Sequence, residues 1–63
     1  PAKYQLSAEA LLESARVLDQ LKQDREAVRL LREVTGKYQD TFAARRAEAI
    51  VGQIQNRINP KEN

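Results

Sequence analysis

Arg25, Arg29 and Arg32 recur at steps of four and three, a row of guanidinium groups that could grip phosphates or an acidic peptide. Glu9 and Glu13 stand one helical turn apart, as two carboxylates sharing acid and base work could. Neither pattern develops into a reactive site. Glu26 and Glu33 sit beside the arginine row and neutralise it, so it reads as a solvated face. Acid and base roles require two carboxyl groups in different surroundings, whereas one exposed helix face gives Glu9 and Glu13 the same surroundings. With no histidine and no cysteine there is no zinc site and no disulfide, and glycine-rich phosphate loops and nucleophile elbows are absent. The sequence therefore specifies no enzyme and no cofactor.

The elements that carry these residues are helices. The stretch Asp24 to Tyr38 places Ala27, Leu31, Val34 and Tyr38 at steps of four, three and four, which aligns them on one helical face. The only segments long enough to cover that face are Ala8 to Lys22 and Phe42 to Ile58. The expected fold is all-α: three helices over about 8–22, 25–37 and 42–58 in an antiparallel arrangement, the middle one shared. A chain of 63 residues holds one domain at most, and a domain this small buries only about 60% of the surface its unfolded chain exposes. Without disulfide or metal, association or membership of a longer protein is the remaining source of stability. Opening on Pro1 in place of Met suggests a processed product or an excised domain.

Hydrophobic residues make up 41% and charged residues 32%, with two Gly and two Pro, a balance that fits a compact helical domain. The net charge is +2, but opposite signs alternate: Glu13 with Arg16, Glu26 with Arg29, Arg29 with Glu33 and Glu33 with Lys37 all stand three or four apart. Apolar runs are too short to span a membrane, and no signal peptide is visible.

In chain order, residues 1–6 read as a lead-in, with Ser7 as N-cap of the first helix and Leu11, Ala15, Leu18 and Leu21 as its apolar stripe. Asp24 is the expected N-cap of the second helix. Gly36 either supplies a left-handed turn that stops that helix or lies inside its last turn. Asp40 or Thr41 caps the third helix, whose stripe begins at Phe42 and runs through Ala44, Ala47, Ile50, Val51, Ile54 and Ile58. Asn59 before Pro60 ends it, and residues 61–63 should fray.

The third helix begins like a copy of the first: Ala8-Glu9-Ala10-Leu11-Leu12 returns as Ala47-Glu48-Ala49-Ile50-Val51. With this internal match the chain resembles a tetratricopeptide repeat, most closely the variant of bacterial cell-envelope proteins. Ala15 is similar to the small residue of that family's first helix, Asp24 to its turn, Ala27 to the second-helix alanine, Leu31 and Val34 to the large apolar positions and Tyr38 to the tyrosine. Residues Asp40 to Ala47 look like the entry into a next repeat. Gln39 stands where proline is expected, and Leu18 where an aromatic is usual. The resemblance covers roughly residues 8–54 and implies one repeat plus a capping or next-repeat helix. It implies a non-catalytic protein-interaction module, in the bacterial periplasm or cytoplasm. A peptide or partner domain would lie on a surface formed by Glu9, Leu12, Arg16 and Asp19 of the first helix and Glu48, Val51 and Gln55 of the third.

Two other functions compete. A self-association domain would complete its stripes with a second chain, as a homodimer through the third helices or the exposed side of the first hairpin. A nucleic-acid-binding three-helix domain would need polar residues aimed at base edges, but Arg45 and Arg46 are followed by a largely apolar, neutral face, so no nucleic acid is expected.

Overall fold

The structure, a computed structural model, describes residues 2–60. It is all-α: α1 spans Ala2–Gln20, α2 spans Asp24–Lys37 and α3 spans Phe42–Ile58. As the spacing within residues 24–38 requires, α2 packs against both neighbours, while α1 and α3 touch each other less extensively. The Cα frame measures 42 × 24 × 13 Å, so its thinnest direction is little more than one helix across, and each helix keeps a solvent face.

The core is unusual in what fills it. Among the described residues, six of the ten buried apolar ones are alanines: Ala8, Ala15, Ala27, Ala43, Ala44 and Ala47. Alanine lets helix backbones approach closely, and it leaves Leu12, Leu31, Val34 and Ile54 as the large side chains that are fully buried. Leu11, Leu18, Val28, Leu30, Tyr38, Ile50 and Val51 close the rim of this cluster. Burial at Ala27, Leu31 and Val34 matches the expected α2 face, with Tyr38 half-buried at its end. The expected α1 stripe is rotated. Ala8 and Leu12 join Ala15 in the core, Leu11 and Leu18 are half-buried, and Leu21 faces solvent, because α1 meets two helices and turns its Ala8–Leu12 edge between them. On α3, Phe42 and Ile58 are exposed at the two ends, beyond the reach of α2, and Ala43 takes the first core position.

Two boundaries differ from local expectation, and a third takes one of its two expected forms. Helix α1 begins at Ala2 and not after Ser7, because Tyr4 anchors the added turns: its hydroxyl donates to the carbonyl of Lys37 at 3.0 Å and to that of Gln39 at 3.3 Å. Lys37 is the last residue of α2, where carbonyls lack helical partners, and Gln39 lies in the connection that follows. The Tyr4 ring also tilts against Tyr38 at 5.0 Å between centroids, a favourable aromatic geometry. Asp24 is the first residue of α2 rather than its cap; Gln23 occupies that position with no side-chain bond. Gly36 lies inside α2 and contributes no left-handed turn, so it weakens the helix by about 1 kcal/mol relative to alanine. The expected lead-in residue Pro1 and the expected fraying of 61–63 lie outside the described residues.

Left-handed backbone occurs instead at Lys22 (φ 64°) and Asp40 (φ 70°), one in each connection. At the first, the Lys22 amide donates to Asp19 O and the Gln23 amide to Leu18 O, the paired bonds of a Schellman ending. Glycine is the residue this turn favours, since a side chain in left-handed backbone costs about 1–2 kcal/mol. Lys22→Gly is therefore expected to stabilise the fold by about 1 kcal/mol, read as a higher urea midpoint at unchanged slope. At the second connection Thr41 caps α3: its buried hydroxyl accepts from the Ala44 amide at 3.0 Å and donates to Tyr38 O at 2.6 Å. One side chain thereby joins the end of α2 to the start of α3.

Candidate functional site

Tyr4 meets the α2–α3 turn at one end of the molecule, and Arg57 meets the α1–α2 turn at the other. Helices α1 and α3 therefore run in the same direction, side by side across α2. Between them lies an open depression of about 390 Å³, walled by Arg16, Asp19 and Gln20 of α1 and by Arg46, Ala49, Ile50 and Gln53 of α3. Ala49 and Ile50 supply an apolar floor, and the remaining residues ring it with charges and amides.

The electrostatics of this groove are set at its end. The Arg57 guanidinium donates to Asp19 at 2.9 Å and to Asp24 at 2.6 Å, tying the last turn of α3 to the end of α1 and the start of α2. These hydrogen bonds, first to Asp19 and then to Asp24, raise the pKa of Arg57 above its ordinary value. Asp24 is thus diverted from capping α2, although its charge still lies at the positive end of that helix. Asp19 is neutralised as well. What remains to face the groove is Arg16, loosely paired with Glu13 at 3.8 Å, and Arg46, which makes no ion pair among the described residues. The groove is accordingly cationic.

Because the Arg57 bridge is partly exposed, its strength depends on screening. Arg57→Gln is expected to lower the melting temperature and to weaken amide protection in the last turn of α3. In about 1 M salt, where the screening length is about 3 Å, the gap to the parent should narrow. An equal gap at both salt concentrations would make the role of Arg57 one of packing.

Only Arg16 and Asp19 of the partner-binding residues expected from sequence line the groove. Leu12 is 1% exposed and belongs to the core, where it cannot meet a partner, so that assignment is corrected. Glu9 is exposed on α1 but does not line the groove. Glu48 lines a separate depression with Thr35, Asp40 and Arg45 near the α2–α3 turn, Val51 is half-buried against the core, and Gln55 faces outward beside Gly52 and Asn56. Sequence reasoning missed Gln20, Arg46, Ala49, Ile50 and Gln53. Arg46, Ile50, Gln53 and Arg57 are spaced four, three and four apart, a signal present in the chain but masked by the wide apolar stripe beside it. The remaining short-range pairs are surface features: Arg29 grips Glu26 rather than Glu33, at 2.8 Å, and Lys37 takes Glu33 at 3.1 Å. Among the described residues no three carboxylates, histidines or cysteines converge where a metal ion could bind, and none of the helices is long and apolar enough to cross a membrane. Compared with protein-family models, curated proteins and solved structures, the chain finds no match.

Proposed function

We propose that the chain is a non-catalytic protein-interaction module of tetratricopeptide-like type, which receives an extended segment of a partner protein in the groove between α1 and α3. The observation that carries this reading is the groove itself: two helices in the same direction, an apolar floor at Ala49 and Ile50, and two arginines above it. Apolar floors with a few convergent polar groups are the usual make-up of recognition clefts. The burial of Ala15, Ala27, Leu31 and Val34, with Tyr38 half-buried, supports the kinship read from the sequence, since these positions carry it. Arg46, without an ion pair among the described residues, and Arg16, held only at 3.8 Å by Glu13, favour a partner segment bearing carboxylates, which arginine can hold through paired hydrogen bonds.

The test is selection from a random peptide display library on the immobilised chain. Acidic peptides should be enriched, and Arg46→Glu should weaken them about tenfold or more, equivalent to about 1.4 kcal/mol. Glu48→Lys, on a different face, should leave them bound. Peptides indifferent to Arg46→Glu but lost with Glu48→Lys would remove the groove from consideration.

A further inference from the structure

The solvent side of α2 carries Arg25, Arg29 and Arg32, and that of α3 carries Arg45, Gln53 and Asn56. Helix α1 is different. Its side away from the core presents Leu6 (68% exposed), Ala10, Ser14 and Val17 (53%), continued by Leu21 (61%) just past its last residue, at steps of four, four, three and four. This uncharged line runs for about 22 Å at 1.5 Å per residue. Among the described residues, half of the six exposed large hydrophobic ones lie on it. A helix apolar on two opposite sides is ordinarily buried on both.

We propose that this face is the seam of a symmetric, antiparallel dimer in which α1 packs against α1 of a second copy. Two properties of the face select a second copy of the chain. The first is size. When α1 is laid antiparallel on itself, residues whose numbers sum to 27 oppose one another. Leu6 then meets Leu21, Ala10 makes room for Val17, and Ser14 lies beside the dyad with its symmetry mate. The line is its own complement, which an isologous interface requires. The second is charge. Along the flank nearer the groove, Arg16 falls between Glu9 and Glu13 of the second copy, each within about one turn, and the dyad repeats this contact. The two Glu13 carboxylates approach the axis bracketed by both Arg16 side chains. A parallel pairing would instead turn this flank toward the opposite flank of the second copy, where Ser7, Leu11 and Leu18 lie, and Arg16 would find no carboxylate there, so the charges favour the antiparallel one. The outer face of α3 offers no equivalent, since between Phe42 and Ile58 it presents Ala49, Gly52 and Asn56. The seam shares Arg16 with the groove, whereas Arg46, Ile50 and Gln53 take no part in it, so Arg46→Glu acts on the groove alone and Val17→Glu on the seam alone.

The chain contains no cysteine, so single thiols report proximity cleanly. In sedimentation equilibrium the parent is expected to reach twice its 7.2 kDa mass as concentration rises, while Val17→Glu stays at 7.2 kDa with parental helicity. If Val17→Glu loses helicity, Leu21→Lys at the end of the helix takes its place. Ser14→Cys should oxidise to a linked dimer, and Leu6→Cys should link to Leu21→Cys in a mixture far faster than to itself. The proposal is overturned by a monomer at every concentration, by masses growing beyond two chains, by a dimer that survives both charge substitutions, or by Leu6→Cys linking preferentially to itself.

Discussion

Leu31→Ala is expected to destabilise the fold by about 2–5 kcal/mol. A native domain of this length is stable by roughly 3–9 kcal/mol, taking about 0.05–0.15 kcal/mol per residue, so this one substitution removes a large share of the total. The position explains the size of the effect. Leu31 is fully buried on the shared face of α2, and the neighbouring core positions are mostly alanines, which have no side-chain length with which to collapse into the space. A cavity that cannot relax retains its full penalty, and the range of costs at fixed chemistry reflects that difference. Urea unfolding followed by circular dichroism measures it. Ile58→Ala, which removes a similar volume at an exposed helix end, should stay within about 0.5 kcal/mol of the parent. Equal losses for the two variants would mean that Leu31 is not at the centre of the packing.

How much of this could be read in the chain depends on which helix is considered. Helix α2 was legible because its two neighbours share one face, and the residues on that face have a single period: Ala27, Leu31, Val34, Tyr38. Helix α1 was not, because three apolar lines can be drawn along it. Leu11, Ala15, Leu18 and Leu21 form one candidate stripe, Ala8, Leu12 and Ala15 another, and Leu6, Ala10, Val17 and Leu21 a third on the far side. Periodicity finds such lines but does not rank them; the neighbours in space do. The same ambiguity affected the groove. Spacing puts Arg16 and Asp19 on it, but on α3 it points to Glu48, Val51 and Gln55, whereas Arg46, Ala49, Ile50 and Gln53 line the groove, because the broad stripe from Ala44 to Ile58 has two flanks about half a turn apart and periodicity does not say which of them faces α1.

Boundaries failed for a different reason. Ser7 and Asp24 are good local capping residues, yet neither caps a helix, because partners more than thirty residues away decide both ends. Tyr4 reaches the carbonyls of Lys37 and Gln39, which extends α1 past Ser7, and Arg57 claims the Asp24 carboxylate. At Thr41, where no distant group competes for the hydroxyl, the local rule held. Propensity and capping are weak forces of about 1 kcal/mol, and one well-placed long-range contact is enough to override them.

Ala27→Leu tests the opposite side of the same packing. Ala27 and Ala15 are both without exposure, one on each helix of the first hairpin, and Ala8, Ala43, Ala44 and Ala47 continue the pattern through the core. An alanine at a helix crossing has a close backbone as its neighbour, so three added carbons have nowhere to go unless the helices separate. Overpacking of this kind costs about 1–3 kcal/mol, although leucine gains buried area and is nearly as good a helix former as alanine. Separation would also draw Leu12 and Leu31 apart, which is why the steric term should outweigh the added hydrophobicity. Since 1 kcal/mol shifts the melting point of a domain this size by roughly 4–8 °C, the variant should melt at least several degrees below the parent. Ala49→Leu makes the same chemical change on the exposed side of α3 and should melt near the parent. If Ala27→Leu melts with the parent or above it, the hairpin has room at residue 27 and its helices do not cross closely there. The alignment of Ala27 with the small second-helix residue of a tetratricopeptide repeat would then lose its physical basis.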